Sequence, residues 1–120
     1  MEKTDAISTL SALAHDARID VFRLLIRAGA EGVSAGQIAD TLDIRPNTLS
    51  NNLKILSGAG LVTSLREGRS VRYFANIDAM RALLSFLMED CCGGRADLCQ
   101  PVLDQIACPP FPSSLTEPDR

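Results

Sequence analysis

With 120 residues, 46% of them apolar, the chain fits one domain with a modest core, and no run approaches the eighteen or more apolar residues of a membrane span. The opening Met1-Glu2-Lys3-Thr4-Asp5 lacks the basic region and apolar stretch of a signal peptide, so a cytoplasmic protein is expected, in whose reducing compartment four cysteines suit ligands or redox groups better than a disulfide framework. The net charge of −3 argues against a chain that is basic throughout.

Residues 4–14 carry Ile7, Leu10, Leu13 and Ala14 at helical spacing, which predicts a first helix with one apolar stripe. Asp16 is placed to cap a second helix, 17–28, whose Ile19, Phe22, Leu25 and Ile26 share a face and which Gly29 ends. Ser34-Ala35-Gly36-Gln37 has the form of a capping box and opens a short third helix with Ala35, Ile38, Ala39 and Leu42 inward, closed by a tight turn at Asp43-Ile44. Pro46 suits the first turn of a fourth helix, capped by Arg45 or Asn47, with Leu49, Leu53 and Leu56 on its buried side and an end at Gly58-Ala59-Gly60. Residues 61–65 and 71–75 read as two strands around the basic connection Arg66-Glu67-Gly68-Arg69-Ser70. Asp78 then caps a fifth helix in which Met80, Leu83, Leu84, Leu87 and Met88 form a broad apolar face. So small a chain has little core to receive that face. The first and fifth helices are therefore expected to bury apolar surface against a second subunit, the alternative being an intramolecular core.

Two short helices joined by a tight turn, the second followed by a hairpin, make a mainly α fold with a β-hairpin wing, the winged helix-turn-helix. Its second helix enters the major groove of double-stranded DNA. The charge distribution agrees: residues 1–44 hold four basic and seven acidic groups, residues 45–77 five and one, and residues 78–120 three and seven. The basic set is Arg45, Lys54, Arg66, Arg69 and Arg72, and the plain alternative for it is a solvated surface. With the three leucines inward, Asn47, Thr48, Ser50, Asn51, Asn52 and Lys54 lie on the sides or outside of the fourth helix. Together with Arg66, Arg69 and Arg72 of the wing they are the candidate DNA-binding residues, because amides pair with adenine, hydroxyls reach bases or phosphates, and an arginine at a hairpin tip can enter a minor groove.

The run Leu13-Ala14-His15-Asp16-Ala17-Arg18-Ile19-Asp20-Val21-Phe22-Arg23-Leu24-Leu25, then Ser50-Asn51-Asn52-Leu53-Lys54-Ile55-Leu56 with Gly60-Leu61-Val62, then Glu67-Gly68-Arg69-Ser70-Val71-Arg72-Tyr73, resembles the ArsR/SmtB family of metal-responsive repressors over roughly residues 5–90. The resemblance implies a homodimer paired through its first and last core helices, bound to an inverted-repeat operator and released by a ligand. The Asn51-Asn52 pair departs from the histidines of many relatives, so different bases are expected to be read.

Among the sensing sites of that family, a histidine and carboxylate zinc site on the last helix is hard to build when His15 is the sole histidine, and the third helix lacks a Cys-x-Cys pair. What remains is Cys91-Cys92-Gly93-Gly94-Arg95-Ala96-Asp97-Leu98-Cys99, with Cys108 beyond it. A helix would carry Cys99 about 10 Å past Cys92, so the chain must turn back for three sulfurs to meet, and Gly93-Gly94 permits that. Cys91, Cys92 and Cys99 as thiolates suit trivalent arsenic or antimony, soft ions that take a three-sulfur pyramid, whereas zinc prefers four ligands. The pattern is similar to the C-terminal vicinal-cysteine site of some arsenite-responsive members of the family. Arsenite or antimonite is thus the expected inducer, with no permanent cofactor. Four other readings stay open: a thiol redox or persulfide switch, zinc or cadmium held by all four cysteines, inert cysteines, and a small thiol enzyme such as an arsenate reductase. The last fits poorly, because only Arg95 is a basic neighbour and no phosphate-cradling loop is present, so no catalytic residue is assigned. The expected organisation is a DNA-binding and dimerisation domain over 1–90, a sensor segment over 91–108 and a disordered tail over 109–120.

Overall fold

The computed structural model describes residues 1–89 together with Pro101 and Gln105. The sensor segment with Cys91, Cys92, Cys99 and Cys108, and the tail over 109–120, lie outside the described residues apart from Pro101 and Gln105, both helical and exposed. Met1–Leu87 makes one compact unit. Its elements are α1 (Lys3–Leu13), α2 (Asp16–Ala28), a 3-10 turn (Gly29–Glu31), β1 (Val33–Ser34), α3 (Ala35–Leu42), α4 (Pro46–Gly58), β2 (Val62–Glu67), β3 (Ser70–Ala75) and α5 (Ile77–Leu87).

The core forms where α2, α3 and α4 converge beneath the sheet. Val21, Phe22 and Leu25 from α2, Ile38 from α3, Leu49, Leu53 and Leu56 from α4, and Leu61 and Val62 leading into β2 are all buried in one cluster. Local signals set the helix boundaries. Ser34 caps α3, its hydroxyl accepting from the Gln37 N–H at 3.3 Å while the Gln37 side chain reaches back, the reciprocal capping box expected. Asp43 turns the chain out of α3 in the left-handed region (φ 53°, ψ 51°), which a short polar side chain tolerates, and Ile44 N–H closes the turn on the Ala39 carbonyl at 3.0 Å. Pro46 takes the first position of α4, where a missing N–H costs nothing.

Two caps differ from expectation. His15, exposed and extended, is the residue before α2, and Asp16 is already helical. At α5 the cap is Asn76: its side-chain oxygen accepts from Ala79 N–H at 3.3 Å, and its amide donates to the Gly60 carbonyl at 2.9 Å, fastening the start of α5 to the α4–β2 corner. Asp78 instead pairs with Arg81 at 2.9 Å on the surface.

The sheet has the order β1-β3-β2, all antiparallel. The two-residue β1, unforeseen because it is too short to show alternation, pairs Val33 with Tyr73 and Ser34 with Arg72. The hairpin is longer than expected and its turn tighter. Pairing runs from Val62–Ala75 to Glu67–Ser70, so Arg66 and Ser70 belong to strands and only Gly68-Arg69 turns. Gly68 has φ +63° and Arg69 does not have a positive φ, the pattern of a II′ turn, which suits the twist of a hairpin and needs glycine first.

Two helices present other faces than the periodicity predicts. In α2 the buried arc runs through Val21, Phe22 and Leu25, leaving Ile19 and Ile26 exposed. Both arcs are apolar, and only packing against the sheet chooses between them. In α1 the small residues Ala6, Thr9 and Ala12 face inward, while Ile7 (57% exposed) and Leu10 face out. Small side chains let α1 lie close to α4 and α5, both of which it touches. Along α5 only Leu83 is buried. Ile77, Leu84 and Leu87 are exposed, and the helix ends before Met88.

Candidate nucleic-acid interface

The face of α4 follows from its spacing. Leu49, Asn52, Leu53 and Leu56 stand at i, i+3, i+4 and i+7 and are all buried. Asn47, Ser50, Asn51 and Lys54 stand at the same intervals on the opposite side and are all exposed, with exposed Thr48 at their flank. The result is a helix with one apolar row fixed in the core and one polar row of amide, hydroxyl and ammonium groups facing outward. These are the groups that pair with base edges and phosphates.

Asn52 does not belong to that outward row. Only 4% exposed, it accepts a hydrogen bond from Arg18 Nη1 at 3.2 Å through its side-chain oxygen. Its assignment as a DNA-contacting residue is therefore corrected. The signal was in the sequence, since Asn52 lies three residues after Leu49 and four before Leu56, but its polar side chain masked the spacing. Arg18, half-buried on the first turn of α2, has no role that the sequence alone announces, and it supplies the group that makes a buried amide tolerable.

The wing brings three arginines into two different situations. Arg66 and Arg69 are exposed, Arg69 at the hairpin tip. Arg72 is engaged within the protein, with its Nε 3.1 Å from Glu67 Oε1 and its Nη1 donating to the carbonyls of Glu31 at 3.1 Å and Gly32 at 3.3 Å. It fastens the wing to the 3-10 turn, so its placement among the free DNA-binding cations is also corrected. Arg45, which precedes α4, is exposed, and with Lys54, Arg66 and Arg69 it makes four exposed cations of the basic set of residues 45–77, groups of the kind that neutralise phosphates. Among the described residues no three His, Cys, Asp or Glu side chains gather as a metal site would require. Nor is any described helix long and apolar enough to cross a membrane.

A helix-turn-helix domain family matches residues 13–64, from the end of α1 into β2. The chain is 35% identical over 101 residues to a biofilm growth-associated repressor of Agrobacterium fabrum, covering 82% of this chain and 83% of the relative. It is 34% identical over 67 residues to a protein of Halobacterium salinarum provisionally named an arsenical resistance operon repressor, ArsR, covering 56% of this chain and 51% of that one. Among solved structures, it superposes with a TM-score of 0.60 at 25% identity, over 85% of this chain and 81% of the other, on a homodimeric winged helix-turn-helix DNA-binding domain from Mycobacterium bovis, described as a possible ArsR-family regulator. An exposed polar row on α4, a basic wing beside it and this match across most of the length of a repressor together place the chain in the ArsR family of winged-helix transcriptional repressors.

Proposed function

We propose that this repressor binds an inverted-repeat operator as a homodimer and releases it when trivalent arsenic or antimony is captured by Cys91, Cys92 and Cys99. The observation that carries the DNA half is the outward row Asn47, Ser50, Asn51 and Lys54, set on a helix whose opposite row is locked in the core. Bases are read by this row, and phosphates are held by Thr48, Arg45, Arg66 and Arg69. The homodimer is supported by the exposed apolar side chains of two helices that touch each other, Ile7 and Leu10 on α1 and Ile77, Leu84 and Leu87 on α5, and by the homodimeric state of the Mycobacterium bovis neighbour. A fold of this size gains more by covering such side chains than by leaving them in water.

The ion half rests on the donor set. Three thiols within nine residues follow closely after α5, and a relative carries an arsenical resistance operon in its name. Soft thiolates hold trivalent arsenic or antimony in a three-sulfur pyramid. Closing them around the ion pulls on α5, part of the dimer face, and changes the spacing of the two reading helices. Operator affinity then falls, and by linkage DNA weakens ion binding by the same factor. The experiment is a titration of reduced protein bound to a fluorescent operator duplex with arsenite, antimonite, zinc, cadmium and peroxide. Release by the first two alone is expected. Release by peroxide without arsenite would mark a redox switch, and release by zinc or cadmium a four-thiolate site.

A further inference from the structure

A groove open to solvent runs along the seam between α1 and α4, lined by residues that include Ser8, Ser11, Ala12, Arg18, Ile55 and Gly58. Across this gap the guanidinium of Arg18 makes a two-ended tie. Its Nε donates to the Ala12 carbonyl at the end of α1 at 2.5 Å, and its Nη1 donates to the side-chain oxygen of Asn52 in the middle of α4 at 3.2 Å. Both acceptors are neutral, both bonds are assisted by the arginine charge, and the planar fork fixes direction as well as distance.

From this arrangement we infer that Arg18 is the positioning residue for the reading helix. Acting through Asn52, it sets the pose of α4 relative to α1. The inference rests on α4 being the helix that reads bases. The packed leucines hold α4 in the core, and the polar tie adds a directional constraint on its rotation that dispersion contacts, which have little angular preference, do not supply. Asn52 adjoins Asn51 in the outward row, so a rotation of α4 at Asn52 carries Asn51 with it. Bidentate contacts to base edges are sensitive to such a shift, while contacts from long cationic side chains to phosphates are not. The tie therefore governs sequence preference more than total affinity.

The test uses the full chain and two duplexes: one selected by the wild-type protein from a randomised inverted-repeat library, and one of equal length with that sequence scrambled. Affinities would be read by fluorescence anisotropy at several salt concentrations. Asn52→Leu, which keeps volume but removes the acceptor, and Arg18→Lys, which keeps charge but loses the fork, should each lose roughly tenfold on the selected duplex, the cost of about one misaligned base contact. Affinity for the scrambled duplex and the salt slope should stay as in wild type. The double variant should be no weaker than the worse single one, because both changes cut the same tie. Asn52→Asp, which keeps an acceptor for Arg18, should retain selective binding. If selected-duplex affinity stayed within about twofold while the melting temperature fell, Arg18 and Asn52 would be stabilising residues only, and equal losses on both duplexes would equally overturn the positioning role. If Asn52→Leu did not fold, Arg18→Lys tests the same tie by itself, with the same two outcomes. An Asn51→Ala variant that left selection intact would instead remove the premise that α4 reads bases.

Discussion

Replacing Gly32 with alanine should be among the most damaging single-methyl changes in the chain. Gly32 has φ +65° and ψ −175° where the 3-10 turn enters β1, a region almost confined to glycine, and holding a side chain there costs about 1–3 kcal/mol. A Cβ would also lie 2.6 Å from Phe74 Cδ2 and Cε2 and from the Tyr73 carbonyl oxygen on β3. The oxygen is backbone and cannot step aside without disturbing the β1–β3 pairing, so overpacking adds about 1–3 kcal/mol. A loss near 4 kcal/mol is expected from these two effects. Against a typical domain stability of roughly 5–15 kcal/mol, that should lower the melting temperature by roughly 15 °C or more. Urea unfolding followed by circular dichroism measures it, with Gly36→Ala as the control: Gly36 sits in α3 with open space around it, and alanine there should stabilise by up to about 1 kcal/mol. Because Arg72 donates to the Gly32 carbonyl, Gly32→Ala should also loosen the wing and weaken DNA binding. If it lost less than about 1 kcal/mol, the close approach and the strain assigned to this turn would be wrong.

Leu10→Glu combined with Leu84→Glu should give a monomer by light scattering with its helical signal intact, because both side chains are exposed within one subunit and contribute little to its own core. Arg69→Ala should weaken binding to every duplex and reduce the salt slope by about one, since a wing-tip arginine meets phosphate or minor groove. Ser34→Ala should destabilise by about 1 kcal/mol in urea unfolding by removing the cap of α3.

Features written in local chemistry were legible in the sequence: the capping box at Ser34, Pro46 opening α4, and Gly29 ending α2. The order of helices and the presence of a hairpin followed from periodicity and turn residues. Choices made by tertiary packing were not legible. The inner face of α2 could have held Ile19 and Ile26 as well as Val21, and in α1 small residues took the inner face because helices had to lie close. Strand β1 pairs only two residues and leaves no pattern to find. In the candidate interface, exposure on the polar side of α4 follows from the leucine spacing, whereas Asn52 lies in the buried row by position although its side chain is polar. In the sequence Arg72 reads as a free cation because its partners at Glu31 and Gly32 are about forty residues away and reach it only through the fold. The thiols Cys91, Cys92 and Cys99 are close in sequence, and thiolate donor chemistry points to the soft trivalent ions they would hold.

Nothing probes the proposed switch more sharply than operator release by arsenite, measured by anisotropy on Cys91→Ser, Cys92→Ser, Cys99→Ser and Cys108→Ser proteins. Serine nearly matches cysteine in size but offers no soft thiolate, and two thiolates hold the ion less tightly than three. The first three variants should bind the operator as wild type does yet hold it at arsenite concentrations that release the wild type, while Cys108→Ser should release normally. If Cys99→Ser still let go of DNA at the wild-type arsenite concentration, a three-thiolate switch would be contradicted.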